Sequence, residues 1–261
     1  MTTRWIDLDG ALNVRDLGGL PTPEGRVTRF GRVLRSDNLQ DLTGSDVHRL
    51  VRVIGVRDVV DLRTGVEVAL EGPGPLTREP SVTVHHLSLF PEAGEHTDVA
   101  ADAVLPWTPA SPDDPVPDPP PGGWYAGYLN DRPDSVVTAL RTMAAPGATL
   151  THCAAGKDRT GVVCALALSV AGVDRAAIVA DYVQTGERLA AIVARLETRP
   201  TYAADLNDRS VDSHRPRPET MHVLLNHLDA RFGGPLGWLA AHGWSDADTS
   251  ALRSRFLDPN G

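Results

Sequence analysis

Lysine is almost missing from this chain of 261 residues: of its 25 basic residues, 24 are arginine and one, Lys157, is lysine. Cysteine is nearly as scarce, with Cys153 and Cys164 alone. Two cysteines cannot build a disulfide framework. Neither stands in a Cys-x-x-Cys or Cys/His metal spacing, so no metal site is predicted. No apolar run approaches the roughly 20 residues that a membrane-spanning helix needs. The segment Met1 to Asp9 has no continuous apolar stretch and carries two acids, unlike a secretory leader. A reduced, cytoplasmic protein is the expectation, although export without a signal would leave no mark of this kind. A basic stripe is also lacking, which argues against a nucleic-acid partner.

The net charge of −9 is unevenly spread. Between Glu79 and Asp131 there is no Lys or Arg, while nine acids occur: Glu79, Glu92, Glu95, Asp98, Asp102, Asp113, Asp114, Asp118 and Asp131. The rest of the chain is then formally neutral, with 34 − 9 = 25 acids against 25 bases. Within this stretch, residues 91–121 hold nine of the 21 prolines. Such a composition buries too little apolar surface to offset its ordering entropy, so a mobile surface loop is predicted there. The chain as a whole, 1–261, reads as a single domain, with 41% hydrophobic content to build its core.

Hydrophobic periodicity gives the elements. A short strand is predicted within Gly31–Ser36, a helix over Gly44–Ile54 capped by Thr43 and stopped by Gly55, and a buried strand over Val56–Leu62. A further strand is expected over Val82–Leu89, where His85 and His86 read as exposed polar surface. Asp134 is the expected cap of a helix ending at Met143. The short strand Ala148–His152 runs straight into Cys153. Beyond Arg159, Thr160–Ala171 is apolar almost all round, hence a buried helix closed by Gly172. Asp174 starts the next helix, Glu219 onward is helical up to Gly233-Gly234, and Ser245 opens the last helix through a capping box. The predicted class is α/β: a central, mostly parallel sheet flanked by helices, with a loop between a strand and a buried helix.

That loop carries the chemistry: His152-Cys153-Ala154-Ala155-Gly156-Lys157-Asp158-Arg159-Thr160-Gly161. A turn of this length around a helix N-terminus aims unpaired backbone N–H groups and the positive helix end at one point, an anion site. Ala154, Ala155, Gly156 and Lys157 would line it. The same field stabilises a thiolate, making Cys153 the candidate nucleophile. Arg159 can grip two phosphoryl oxygens at once. His152 would orient the loop from behind, and Thr160 can donate its hydroxyl to the sulfur. The lone lysine falls inside this loop, where a compact ammonium fits beside Arg159 and a second broad guanidinium would crowd it.

His-Cys-x-x-Gly-Lys-Asp-Arg-Thr-Gly resembles the signature of the protein tyrosine phosphatase superfamily, and more narrowly of the bacterial PtpB-like tyrosine phosphatases. Asn13–Gly19, Arg35-Ser36-Asp37, Val60–Thr64 and Asp181–Thr185 add to the resemblance, which runs from about residue 10 to the end; the acidic insertion is the main departure. It implies a phosphatase fold and hydrolysis of phosphate monoesters through a cysteinyl-phosphate, with no cofactor. It further implies phosphotyrosine in proteins as substrate, Asp158 as the acid that protonates the leaving oxygen, and helices over residues 186–217 covering the site. Phosphoserine/threonine proteins and phosphoinositides stay open as substrates, and Lys157 suits extra negative charge. Asp61, at the C-terminal end of a strand, is the alternative acid, or else a structural carboxylate paired with Arg63 or Arg35. Trp107-Thr108-Pro109 with Asp113 and Asp114 imitates the Trp-Pro-Asp acid loop of other members. Arg15 and Asp16 form either a pocket rim or a turn-stabilising ion pair. Asp181 and Tyr182 would fix the helix behind the loop, and Cys164 is a core residue. A phosphoprotein-binding module without turnover is the rival reading, against which the nucleophile itself argues. A sulfur- or arsenate-handling enzyme lacks a resolving cysteine. Oligomeric state is not readable from the sequence.

Overall fold

The computed structural model describes residues 3–91, 122–206 and 210–258. The imitation acid loop at Trp107 and nearly all of the acidic, proline-rich segment therefore lie outside the described residues. Five strands form one sheet: β1 (Arg15–Asp16), β2 (Val33–Ser36), β3 (Val56–Asp61), β4 (Thr83–His86) and β5 (Ala148–His152), in spatial order β1-β2-β5-β3-β4. β1 runs antiparallel to β2, and the other pairs are parallel. Ser36 of β2 and Asp61 of β3 both register with His152 of β5. The carboxyl ends of the three central strands thus finish level, immediately before Cys153, where sheets of this kind bind ligands.

Alternation along the strands divides two apolar cores. Val33 and Val60 face a large core, whereas Leu34, Val59 and Leu150 face a smaller one on the other side. The smaller core is covered by α1 (Gly44–His48) and its π-helical continuation Arg49–Ile54. Thr43 makes the expected capping box with Asp46, and Gly55 ends the helix in the left-handed region. Asp46 also accepts from the backbone N–H of Asp9 and Gly10, so the same carboxylate pins the N-terminal segment. α2 (Gly65–Glu71) follows β3.

The larger core is built by α3 (Trp124–Asp131), α4 (Pro133–Met143), α5 (Asp158–Ala171) and α6 (Arg175–Gln184). The C-terminal helices α9 (Pro218–Phe232), α10 (Pro235–Ala241) and α11 (Asp246–Phe256) complete it. α5 is buried nearly all round, as its composition demands. Between α6 and α9 lie α7 (Leu189–Glu197), α8 (Pro200–Leu206) and the turn Val211–His214. No helix among the described residues is long and apolar enough to cross a membrane.

Three local expectations are corrected. Pro133 takes the first helical position of α4, because its fixed φ is already helical; Asp134 is therefore not the cap and instead pairs with Arg132. His85 is not simply exposed: its Nε2 lies 2.8 Å from Asp58 on the neighbouring strand, and His86 Nε2 meets the Arg63 carbonyl at 2.8 Å. Arg15 and Asp16 do not pair with each other. As successive residues of a strand they point to opposite sides, Arg15 to Asp181 and Asp16 to the amides of Gly18 and Gly31.

Candidate active site

The loop between β5 and α5 is shaped from outside by donors that hold its carbonyls. The Ala154 carbonyl accepts from the Asn38 amide at 2.8 Å and the Ala155 carbonyl from Asn13 Nδ2 at 2.9 Å. The Gly156 carbonyl accepts from the same Asn13 nitrogen at 3.1 Å and from Arg35 at 2.7 Å. In a trans peptide the N–H points opposite to the C=O. Carbonyls tied down on the outside therefore leave the amides of Ala155, Gly156 and Lys157 turned the other way, toward the pocket. Gly156 adopts φ +65, and a Cβ there would stand 2.3 Å from the Ser36 carbonyl oxygen. Glycine is required on both counts.

Behind the loop, Asp181 gathers Arg4, Arg15 and Arg35, with N···O distances of 2.7, 3.2 and 2.6 Å. Burial alone would raise the Asp181 carboxyl, but the three guanidiniums hold it far below the usual carboxylate range. Burial and the neighbouring Arg35 push Arg15 down to about 10. Through Arg35 this cluster reaches the Gly156 carbonyl, so Asp181 supports the loop at one remove.

Cys153 lies at the pocket floor, 2% exposed, with the Thr160 hydroxyl donating to its sulfur at 3.2 Å. His152 Nδ1 sits 3.2 Å from the Cys153 carbonyl and its Nε2 3.6 Å from Asp61. Arg159, in the first turn of α5, grips both carboxylate oxygens of Glu67, the NH2–Oε1 distance being 3.0 Å. Glu67 is at once the capping-box residue of α2, accepting from the Thr64 amide at 2.8 Å. One carboxylate thus closes a helix and aims a guanidinium. Burial would raise it; Arg159 and the Thr64 amide lower it. Lys157 Nζ donates to the His214 carbonyl at 2.8 Å and lies 3.5 Å from Asp158 Oδ2.

Cys153, Ala154, Ala155, Lys157, Asp158 and Arg159 line one cavity of about 170 Å³. Its outer wall is apolar and comes from α7 and α8: Leu189, Ile192, Val193, Leu196 and Leu206, joined by Tyr202. Asp61 is not in this cavity. Arg63 holds both its oxygens, and although burial would raise the carboxyl, His152 and Arg63 keep it well below the usual range. Of the two pairings foreseen for Asp61, that with Arg63 is the one formed. Cys164 is buried on α5, its thiol pushed up by burial to about 11.

Glu67, Tyr125, Tyr128, Tyr202 and Asn13 reach the site or its support without having been singled out in the sequence. Asn13 had a signal, within the Asn13–Gly19 segment. Glu67 was visible as Thr64-x-x-Glu67, a capping box that gives no hint of a second role.

A strand, a loop that turns its amides inward and a helix carrying arginine define a phosphate-handling hydrolase of the cysteine type. The sequence matches the tyrosine phosphatase family over residues 6–258 and belongs to that family. It is 30% identical, over 96% of this chain and 98% of the relative, to the triple specificity protein phosphatase PtpB of Mycobacterium tuberculosis. It is 29% identical, over 85% of this chain and 73% of the relative, to a tyrosine-protein phosphatase of Nostoc commune. Among solved structures, TpbA of P. aeruginosa aligns with 76% of this chain and 89% of that one at 18% identity and a TM-score of 0.34, too distant to add to this. The chain is a cysteine-based phosphatase acting on phosphorylated substrates.

Proposed function

We propose that Cys153 is the nucleophile of a two-step protein-tyrosine phosphatase reaction. The observation that carries this reading is the Thr160 hydroxyl on the Cys153 sulfur, 3.2 Å away at the floor of the cavity that Arg159, Lys157 and Asp158 also line. Sulfur attacks phosphorus to form a cysteinyl-phosphate, and Asp158 gives its proton to the departing oxygen. Water then attacks phosphorus while the Asp158 carboxylate takes one of its protons, the S–P bond breaks, and Thr160 stabilises the returning thiolate. Arg159 and the inward amides of Ala155, Gly156 and Lys157 hold the equatorial oxygens as charge redistributes. Asp158 is favoured over Asp61 because Asp61 is committed to Arg63 and stands outside the cavity.

The apolar wall suits an aryl phosphate, since an aromatic ring can fill the space between Tyr128 and the leucines while its phosphate meets the loop. Phosphotyrosine proteins are therefore the favoured substrate. A second reading, dual-specificity or phosphoinositide hydrolysis, draws on Lys157, a further cation at the same cavity. α7, α8 and the turn Val211–His214 act as a lid: Tyr202 bonds Glu67 at 3.1 Å, and Lys157 bonds the His214 carbonyl. The two free thiols fit a reducing compartment such as the cytoplasm.

Asp158→Asn tests the acid assignment. The expected loss is roughly 10²–10⁴ in kcat for poor leaving groups and far less for activated aryl phosphates. A uniform loss across leaving groups would remove Asp158 from the role. Rates on phosphotyrosine peptides, phosphothreonine peptides and phosphoinositides decide the substrate class, and a chelator is expected to leave them unchanged.

A further inference from the structure

Asp158 does not stand alone at the pocket edge. The Tyr125 hydroxyl, from α3, donates to Asp158 Oδ1, and the Tyr182 hydroxyl, from α6, lies 2.7 Å from that of Tyr125. A phenol has one proton. With Tyr125's given to the carboxylate, the proton between the two tyrosines must come from Tyr182. The chain of donors runs Tyr182 to Tyr125 to Asp158, each from a different helix of the large core.

We infer that Tyr125, held by Tyr182, is the positioning residue that fixes which oxygen of Asp158 carries the transferable proton. The inference rests on the reading of Asp158 as the general acid. Oδ1 is occupied as an acceptor, so a proton taken up by the carboxyl resides on Oδ2, the oxygen 3.5 Å from Lys157 Nζ. Without the phenol, the carboxyl can rotate and present either oxygen to the leaving group. Both tyrosines remain donors throughout the working range: burial, then the facing Asp158, raises each of them well above the ordinary phenol value.

The packing agrees with a fixed rather than a casual contact. Tyr125 is 3% exposed, stacked on Tyr128 at 5.9 Å and edge-on to Tyr182 at 6.1 Å. Tyr182 in turn lies against Gly161 of the phosphate loop, where a Cβ would stand 2.9 Å from its ring. The glycine after Thr160 thus admits the second tyrosine of the relay. The charged and titratable groups around Asp158 are Lys157, Arg159 and Cys153 from the loop and α5, Glu67 from α2, Tyr125 and Tyr128 from α3, Tyr182 from α6, and Tyr202 and His214 from the covering segment.

The test compares Tyr125→Phe and Tyr182→Phe on phenyl phosphate and dinitrophenyl phosphate, with Asp158→Asn and the Asp158→Asn/Tyr125→Phe double variant beside them. Removing one charge-assisted hydrogen bond should lower kcat on phenyl phosphate by about tenfold with KM little changed, and on the dinitrophenyl ester by less than about twofold. Tyr182→Phe should shift the same quantities less. In the Asp158→Asn background Tyr125→Phe should cost nothing further. Equal losses on both esters, a change confined to KM, or an added loss in the double variant would overturn the inference while leaving the acid assignment intact. Asp158→Asn without leaving-group dependence would overturn both. Vanadate affinity and thermal melting, read on each variant, separate a misfolded protein from a mispositioned acid.

Discussion

Cys153 and Thr160 are seven residues apart and meet because the loop between them is forced into a single turn. At this scale the turn depends on one atom that is missing, the Cβ of Gly156. Gly156→Ala would combine a left-handed φ, costing about 1–3 kcal/mol for a residue with a side chain, with a backbone collision against Ser36 that flexible atoms cannot relieve. The expected outcome is a lower melting temperature together with a loss of vanadate binding, because the amides lose their common aim. A variant that binds vanadate as wild type does would separate the glycine from the anion site. Cys153→Ser, by contrast, changes the proposed nucleophile and leaves the cradle alone. It should abolish turnover, since a serine hydroxyl there is neutral and not activated, yet keep vanadate or phosphate affinity. Isothermal titration of the inactive variant checks this.

Elements in this protein serve two masters, and that decides what a sequence can disclose. The strand Ala148–His152, the buried α5 and the caps at Thr43 and Ser245 each follow from local pattern and appear where that pattern puts them. The run Cys153 to Thr160 was legible as well, because its residues are contiguous. Glu67, Tyr125 and Tyr202 were not, since each comes from another element and arrives only through sheet order and helix packing. Pro133 overrode Asp134 by starting the helix two residues earlier, a competition that propensity alone does not resolve. α7 and α8 form the case in between: Leu189, Ile192, Val193 and Leu196 fall at helical spacing, which calls for an apolar partner, and the stripe lines the cavity over Cys153. If these helices open to admit substrate, vanadate should alter amide hydrogen exchange over 189–206. Lys157→Ala, which removes the bond to the His214 carbonyl, should speed exchange in 210–214 without substrate. Identical exchange in all these states would leave α7 and α8 as a fixed wall.

Over the whole molecule, the candidate site and the stability of the fold share one buried ion cluster. Asp181 binds Arg4, Arg15 and Arg35, and Arg35 reaches onward to the Gly156 carbonyl. Removing this carboxylate leaves guanidiniums in the interior without their counterion. Asp181→Asn should therefore cost about 3–5 kcal/mol at neutral pH, the range for breaking a buried pair from one side. The pH dependence follows from the direction of the shift. The folded-state carboxyl is held far below its unfolded value of about 4. The unfolded chain then binds the proton first as the pH falls, so the stabilisation is complete above the unfolded value and is lost below it. Wild type and Asp181→Asn should differ most near pH 7, with the gap between their urea-derived stabilities narrowing steadily from about pH 5 downward. Catalysis should report the same cluster, because loosening Arg35 frees the loop carbonyl that it holds and weakens vanadate binding in parallel. A stability gap independent of pH would show that Asp181 acts through packing alone and that the charge it carries is not what holds the three arginines.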